Sequence, residues 1–157
     1  MELQTHDNPF RFLLRVRYCE CDAQLVVFNA RYGDYVDTAS TEYFRALFGD
    51  YQVLLDQGLD CQVVKLSTEW KSPARFDDVV QISVETSHIG NTSFSYQLTF
   101  RHYGSEQLIA VSNITYVMVD AKEFTKASIP DAVKNKLAEG APGQMVNQAG
   151  IELTKVN

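Results

Sequence analysis

The sequence has little of what marks membrane, secreted or nucleic-acid-binding proteins. It contains no apolar run long enough to cross a bilayer, and only 3 cysteines and 4 prolines in 157 residues. Its 14 basic residues are outnumbered by 20 acidic ones, for a net charge of −6. A surface short of positive charge disfavours nonspecific binding to phosphate backbones. We therefore expect a single globular domain with no membrane span and no nucleic-acid partner.

The cysteines and the N-terminus favour a reducing compartment. Cys19, Cys21 and Cys61 form an odd set with no disulfide framework. Cys19 and Cys21 also lack the Cys-x-x-Cys spacing or the histidine partners that are typical of a zinc site. Residues 1–7 are polar and do not resemble a signal or transit peptide. We expect reduced thiols, a cytoplasmic location, and no metal or redox cofactor.

The period of the apolar residues changes twice along the chain. Alternation over residues 11–18 predicts a half-buried strand. From about Asn29, apolar residues recur every three or four positions, which predicts a long helix capped by Asn29 and ended by Gly49. Four alternating strands follow, and Pro130 opens a short helix. The tail from 140 to 157 has no clear period and is expected to be poorly ordered or accessory.

This order of elements predicts an α+β domain with an antiparallel five-stranded sheet and one long helix. We expect a single domain over residues 1–157, with its core at about 10–138. One helix covers only part of one face of such a sheet, so a second copy must bury the remaining apolar surface. The sequence therefore predicts a homodimer or a homotetramer.

The candidate chemistry lies between the first strand and the long helix. Residues 18–32 read Tyr-Cys-Glu-Cys-Asp-Ala-Gln-Leu-Val-Val-Phe-Asn-Ala-Arg-Tyr. This segment resembles the signature of the 4-hydroxybenzoyl-CoA thioesterase group of hotdog-fold proteins, in which a catalytic aspartate precedes a Val-Val-aromatic stretch and a tyrosine at the helix start. Asp22, Val27, Phe28 and Tyr32 match that pattern in order. The resemblance extends from about Phe10 to Leu137.

The resemblance implies a hotdog fold, a sheet wrapped around the long helix, and hydrolysis of an acyl-CoA with Asp22 as nucleophile or general base. It also implies that the backbone N–H of Asn29 stabilises the developing oxyanion. The chemistry agrees, because thioester hydrolysis needs a carboxylate and nearby hydrogen-bond donors. A helix N-terminus supplies such donors. The alternative for Asp22 is a solvated carboxylate that shapes a turn.

Further substrate contacts are implied by the same resemblance. Asp37 matches a helix position that faces the acyl group, and residues 90–92 match a turn whose backbone lies near the pantetheine arm. Asp37 has an equally good interpretation as an acid favoured by the helix dipole. Glu20 is expected to be a surface strand residue. The substrate-binding candidates are Val27, Phe28, Tyr32, Asp37, Gly90, Asn91, Thr92 and, as phosphate contacts, Lys71 and Arg75.

Two other functions stay open at this point. A hotdog hydratase or dehydratase usually pairs a histidine with an acid, and no histidine stands in the matched positions. A catalytically silent module that binds an acyl group or CoA, or that serves in assembly, is the second alternative. CoA is expected as part of the substrate and not as a separate cofactor.

Overall fold

A computed structural model of the chain describes Leu3 and residues 6–153. The helices and strands, in chain order, are β1 (Phe10–Arg15), α1 (Arg31–Phe48), α2 (Gln52–Leu55), β2 (Leu59–Trp70), β3 (Val79–Ile89), β4 (Ser93–His102), β5 (Leu108–Asp120), α3 (Asp131–Glu139) and β6 (Met145–Asn147). The strands form one six-stranded sheet in the order β2-β5-β4-β3-β1-β6. No helix in the described part of the chain is long and apolar enough to cross a bilayer.

Helix α1 lies against one face of the sheet, as its apolar stripe predicts. The helix is 18 residues long, and the side of it that faces the sheet is buried. Gly49 ends it with a φ of 81°, a left-handed conformation that suits glycine. The predicted cap at Asn29 is wrong, because Ala30 occupies the cap position and makes no side-chain cap. The buried residues of α1 are Tyr32, Tyr35, Val36, Ala39, Ser40, Tyr43, Phe44 and Leu47.

The sheet differs from the prediction of five antiparallel strands. A sixth strand, β6, comes from the segment expected to be accessory and pairs parallel to β1, with Arg11 opposite Met145. Strand β6 covers the backbone of β1, which would otherwise be a free edge. Helices α2 and α3 accompany α1, so the long helix is not the only one among the described residues. Residues 154–157 of the predicted tail lie outside the described part.

The opposite edge of the sheet is β2, which pairs only with β5 within the described chain. This strand is 12 residues long, and most of its length is exposed. Its exposed side chains include four large apolar ones. These residues are Val63, Val64, Leu66 and Trp70. A long, apolar, unpaired edge is the part of the fold most suited to a second copy.

Candidate active site

Asp22 sits in a tight turn that leaves half of its carboxylate free. Its Oδ1 accepts a hydrogen bond from the Gln24 N–H at 2.8 Å, and its carbonyl accepts one from the Leu25 N–H at 2.9 Å. None of the described residues donates a hydrogen bond to its second carboxylate oxygen. The residue is half-buried. The carboxylate is therefore held in orientation while one oxygen remains available.

The turn requires a left-handed backbone at Leu25, where φ is 60°. The Leu25 side chain is exposed, so little packing compensates the strain of this conformation. We expect Leu25→Gly to be more stable than Leu25→Ala by about 1 kcal/mol in the free energy of unfolding, because only glycine removes the strain. Chemical denaturation of the two variants measures this difference. Equal stability would show that the left-handed turn costs nothing.

Between the Asp22 turn and helix α1, two backbone N–H groups are paired and the next two are not, among the described residues. The Val27 N–H donates to the Ala74 carbonyl at 2.8 Å, and the Phe28 N–H donates to the Glu20 carbonyl at 2.9 Å. The N–H groups of the next two residues, Asn29 and Ala30, make no hydrogen bond within the described chain. They are unpaired donors at the positive end of the helix dipole.

An open cavity of about 470 Å³ is lined by both Asp22 and Asn29. We call it the Asp22 cavity. Tyr32 is buried in its wall, with its ring edge-on to Trp70 at a centroid distance of 5.6 Å. Burial raises the pKa of Tyr32 to about 12, so the phenol stays protonated at neutral pH. The predicted site residues that line this cavity are Asp22, Val27, Phe28, Asn29, Tyr32 and Lys71.

A second cavity, of about 300 Å³, lies further along α1 and holds Asp37. We call it the Asp37 cavity. Its lining combines aromatic rings with the charged side chains of Asp37, Arg45 and Asp50. Burial raises the pKa of one of the aromatic residues, Tyr116, to about 12. Charged side chains in the lining favour a ligand with polar atoms in this cavity.

The two cavities lie at opposite ends of β2. The Asp22 cavity is beside Trp70 and the Asp37 cavity beside Cys61. Along α1, five residues separate Tyr32 of the first cavity from Asp37 of the second, a rise of about 7.5 Å. Within one protomer Asp37 does not line the Asp22 cavity.

The turn at Gly90–Thr92 is also remote from Asp22. It follows β3, whose 11 residues span roughly 33 Å, whereas the Asp22 loop is bridged to Arg75, just before the start of β3. Within one protomer the predicted contact between this turn and a substrate at Asp22 is therefore not made. Arg75 pairs with Val26 through its backbone and lines neither cavity.

The expectation of a surface strand position for Glu20 is wrong. The residue ends a short 3₁₀ turn and is only 6% exposed. Its Oε1 accepts hydrogen bonds from the Arg17 N–H at 2.8 Å and the Tyr35 hydroxyl at 3.1 Å. The sequence shows an acidic residue two positions before Asp22, but it does not show that Tyr35, 15 residues later, is its hydrogen-bond partner.

The fold is that of hotdog-fold thioesterases. The sequence matches the family described as the Thioesterase-like superfamily over residues 16–137, and the chain belongs to that family. This match confirms the predicted family and the predicted enzyme class, thioester hydrolase.

Individual relatives agree with this assignment. The chain is 30% identical over 129 residues to the acyl-CoA thioesterase YbgC of Haemophilus influenzae, covering 82% of this chain and 93% of the relative. A hypothetical protein from Aquifex aeolicus has a similar structure, with a TM-score of 0.75, 26% identity, and coverage of 82% of this chain and 99% of that one. The 1,4-dihydroxy-2-naphthoyl-CoA thioesterase of Synechocystis has a TM-score of 0.74 at 18% identity, over 82% of this chain and 94% of that one, and shows the shared fold.

Proposed function

We propose that this protein is an acyl-CoA thioesterase in which Asp22 is the catalytic carboxylate. The observation that carries the proposal is a carboxylate with one free oxygen that lines the same cavity as Asn29, whose backbone N–H is unpaired in the described chain. The YbgC relative, named as an acyl-CoA thioesterase, supports CoA as the thiol of the substrate.

The reaction follows from this geometry. The thioester carbonyl oxygen points at the N–H of Asn29, which stabilises the negative charge that develops there. Asp22 then either attacks the carbonyl carbon, to give an anhydride that water hydrolyses, or removes a proton from an attacking water. In both routes the C–S bond breaks, and the products are a carboxylic acid and the free thiol of CoA.

The two alternatives have less support. A hydratase or dehydratase would need a histidine beside the acid, and neither His88 nor His102 lines the Asp22 cavity. A catalytically silent binding module would not need a free carboxylate oxygen that shares a cavity with an unpaired backbone N–H. The absence of a metal or redox cofactor and the cytoplasmic location stay predictions from the sequence.

We further propose that two copies pair through β2. A two-fold axis pairs identical edge strands antiparallel, continues the sheet from one copy into the other, and covers the exposed residues Val63, Leu66 and Trp70. In this arrangement the Leu59 end of one β2 lies beside the Trp70 end of the other. A tetramer would be built from such dimers.

This pairing places the Asp37 cavity of one copy beside the Asp22 cavity of the other. The turn at Gly90–Thr92 lies at the same end of the sheet as the Asp37 cavity, so it also approaches the partner's thioester site. The acyl group then enters the partner's Asp37 cavity while the thioester stays at Asp22. The predicted contacts at positions 37 and 90–92 are restored, but across the dimer.

The acyl group that suits the Asp37 cavity is small and carries a polar atom. A volume of about 300 Å³ is at the lower end of ligand sites, and its lining includes the charged side chains of Asp37, Arg45 and Asp50. A long saturated chain would desolvate these groups without replacing their hydrogen bonds. An acyl group with a hydroxyl, or a short one that leaves room for water, avoids this cost.

The function is tested by offering the wild-type protein a panel of acyl-CoAs and following free thiol. We expect hydrolysis, and we expect Asp37→Ala to shift the ratio of kcat/KM values toward longer saturated acyl groups by about tenfold. Asp34→Ala is the matched control, because Asp34 is an exposed acid of the same helix, is paired with Arg31, and lines neither cavity. An unchanged profile in Asp37→Ala would remove Asp37 from the acyl pocket. No thiol release from any acyl-CoA would contradict the function itself.

A further inference from the structure

Glu20 is a buried carboxylate that the thioesterase mechanism leaves without a role. The only cation paired with it in the described chain is Arg17, at 3.3 Å, whose side chain is 72% exposed. A carboxylate so placed is costly to bury, and its hydrogen bonds must compensate that cost. Because Glu20 lies two residues before Asp22, the donors of those hydrogen bonds show which segments hold this part of the loop.

The bonds of Glu20 connect its own turn to two other segments of the site. Its side chain accepts from the Arg17 N–H within the same 3₁₀ turn and from the Tyr35 hydroxyl in α1. Its backbone carbonyl accepts from the N–H of Phe28. The residue after Phe28 is Asn29, the proposed oxyanion donor. One residue thus ties the turn, the helix and the donor segment together.

The Tyr35 hydroxyl remains a hydrogen-bond donor over a wide pH range. Burial, and then the charge of Glu20, raise the pKa of Tyr35 far above its usual value. The phenol therefore stays protonated throughout the range in which an enzyme of this kind is assayed.

We infer that Glu20 is a positioning residue, which sets the distance between the Asp22 carboxylate and the Asn29 N–H by locking both ends of the loop to α1. The inference rests on the proposed roles of Asp22 and Asn29. It predicts that loosening this lock misplaces the two groups relative to each other and leaves the binding cavities intact. Small misplacements of this kind lower turnover by up to about 100-fold.

The test uses Glu20→Met and Tyr35→Phe, which nearly keep the size of each side chain and remove the acceptor or the donor of the bond. We expect kcat to fall by about 10- to 100-fold in Glu20→Met, with KM within about threefold of wild type. The double variant should be no slower than Glu20→Met, since both changes break one unit. Amide hydrogen exchange at Phe28 should become faster in both single variants.

Tyr43→Phe is the matched control, because Tyr43 is a second buried tyrosine of α1 whose hydroxyl bonds to Thr86, away from the loop. It should lose similar stability and keep wild-type kcat. A normal kcat in Glu20→Met, or an equal loss in Tyr43→Phe, would overturn the positioning role. If Asp22→Ala is inactive while Glu20→Met is normal, only the positioning role fails. If the wild type hydrolyses no acyl-CoA, the proposed function fails. Unchanged amide hydrogen exchange at Phe28 in both single variants would independently refute the hydrogen-bonded link between the loop and α1.

Discussion

Replacing Asp22 with alanine should lower kcat for thioester hydrolysis by about 10³-fold or more, because the variant has neither nucleophile nor general base at the thioester. Asp22→Asn should lose nearly as much. The asparagine oxygen can still accept the Gln24 N–H, so the turn persists while the reactive oxygen is lost. Steady-state release of free thiol on the best acyl-CoA measures both variants.

Asp120→Asn is the control for the loss of a turn carboxylate. Asp120 accepts hydrogen bonds from the N–H groups of Lys122 and Glu123, which is the same chemistry as at Asp22, but it lines neither cavity. It should keep wild-type kcat. Turnover of Asp22→Asn within a few-fold of wild type would exclude Asp22 from the mechanism and leave the carboxylate as a turn former.

The parts of the fold that follow from local periodicity could be predicted from the sequence. The stripe on α1 has buried positions every three or four residues, and Gly49 ends the helix as expected. The cap was wrong for a physical reason. The chain already turns at Phe28, whose carbonyl accepts the N–H of Arg31, so the helix begins through its backbone and not through an asparagine side chain.

The parts that depend on distant pairing could not be predicted. Strand β6 has three residues and pairs with β1 more than 130 positions earlier, and no local period reveals such a short parallel strand. Glu20 alternates with its neighbours like a surface residue, and only the fold brings Tyr35 to it. In both cases the deciding contact is absent from any short window of the sequence.

The candidate site was predictable in its residues but not in their distribution over two cavities. The match to a family pattern identified Asp22 and Asn29 together, and the structure places both on one cavity. The same match identified Asp37 and the turn at Gly90–Thr92, which lie at the other end of β2. A sequence pattern lists the residues that contact one ligand without stating which copy of the chain supplies each of them.

Because the two cavities lie at opposite ends of β2, we expect a second large effect. Two inactive variants, each altered in one cavity, should complement each other. Asp22→Ala removes the carboxylate. Thr41→Trp fills the Asp37 cavity from its exposed rim and leaves the Asp22 loop unchanged. Each variant alone should lose at least about 100-fold in turnover, because every one of its sites lacks one of the two required parts.

Mixed dimers of the two variants should regain activity. When Asp22 of one copy acts with the Asp37 cavity of the other, each mixed dimer has one site with both parts intact and one site with neither. Random reassembly makes half of the dimers mixed, so turnover should recover to about a quarter of the wild-type value. If each site were built within a single chain, no mixed dimer would contain an intact site, and activity would stay at the level of the variants.

The outcome also tests the assembly on which the active site depends. Sedimentation of each variant should show the wild-type dimer or tetramer, so that a loss of activity reflects the site and not dissociation. Recovery should appear only after the subunits exchange, because intact dimers of a single variant have no complete site. A wild-type protein that sediments as a stable monomer at micromolar concentration and still hydrolyses acyl-CoA would show that β2 pairing is not needed. Activity restored only in mixed dimers would place the partner's cavity next to Asp22, where the acyl group must lie.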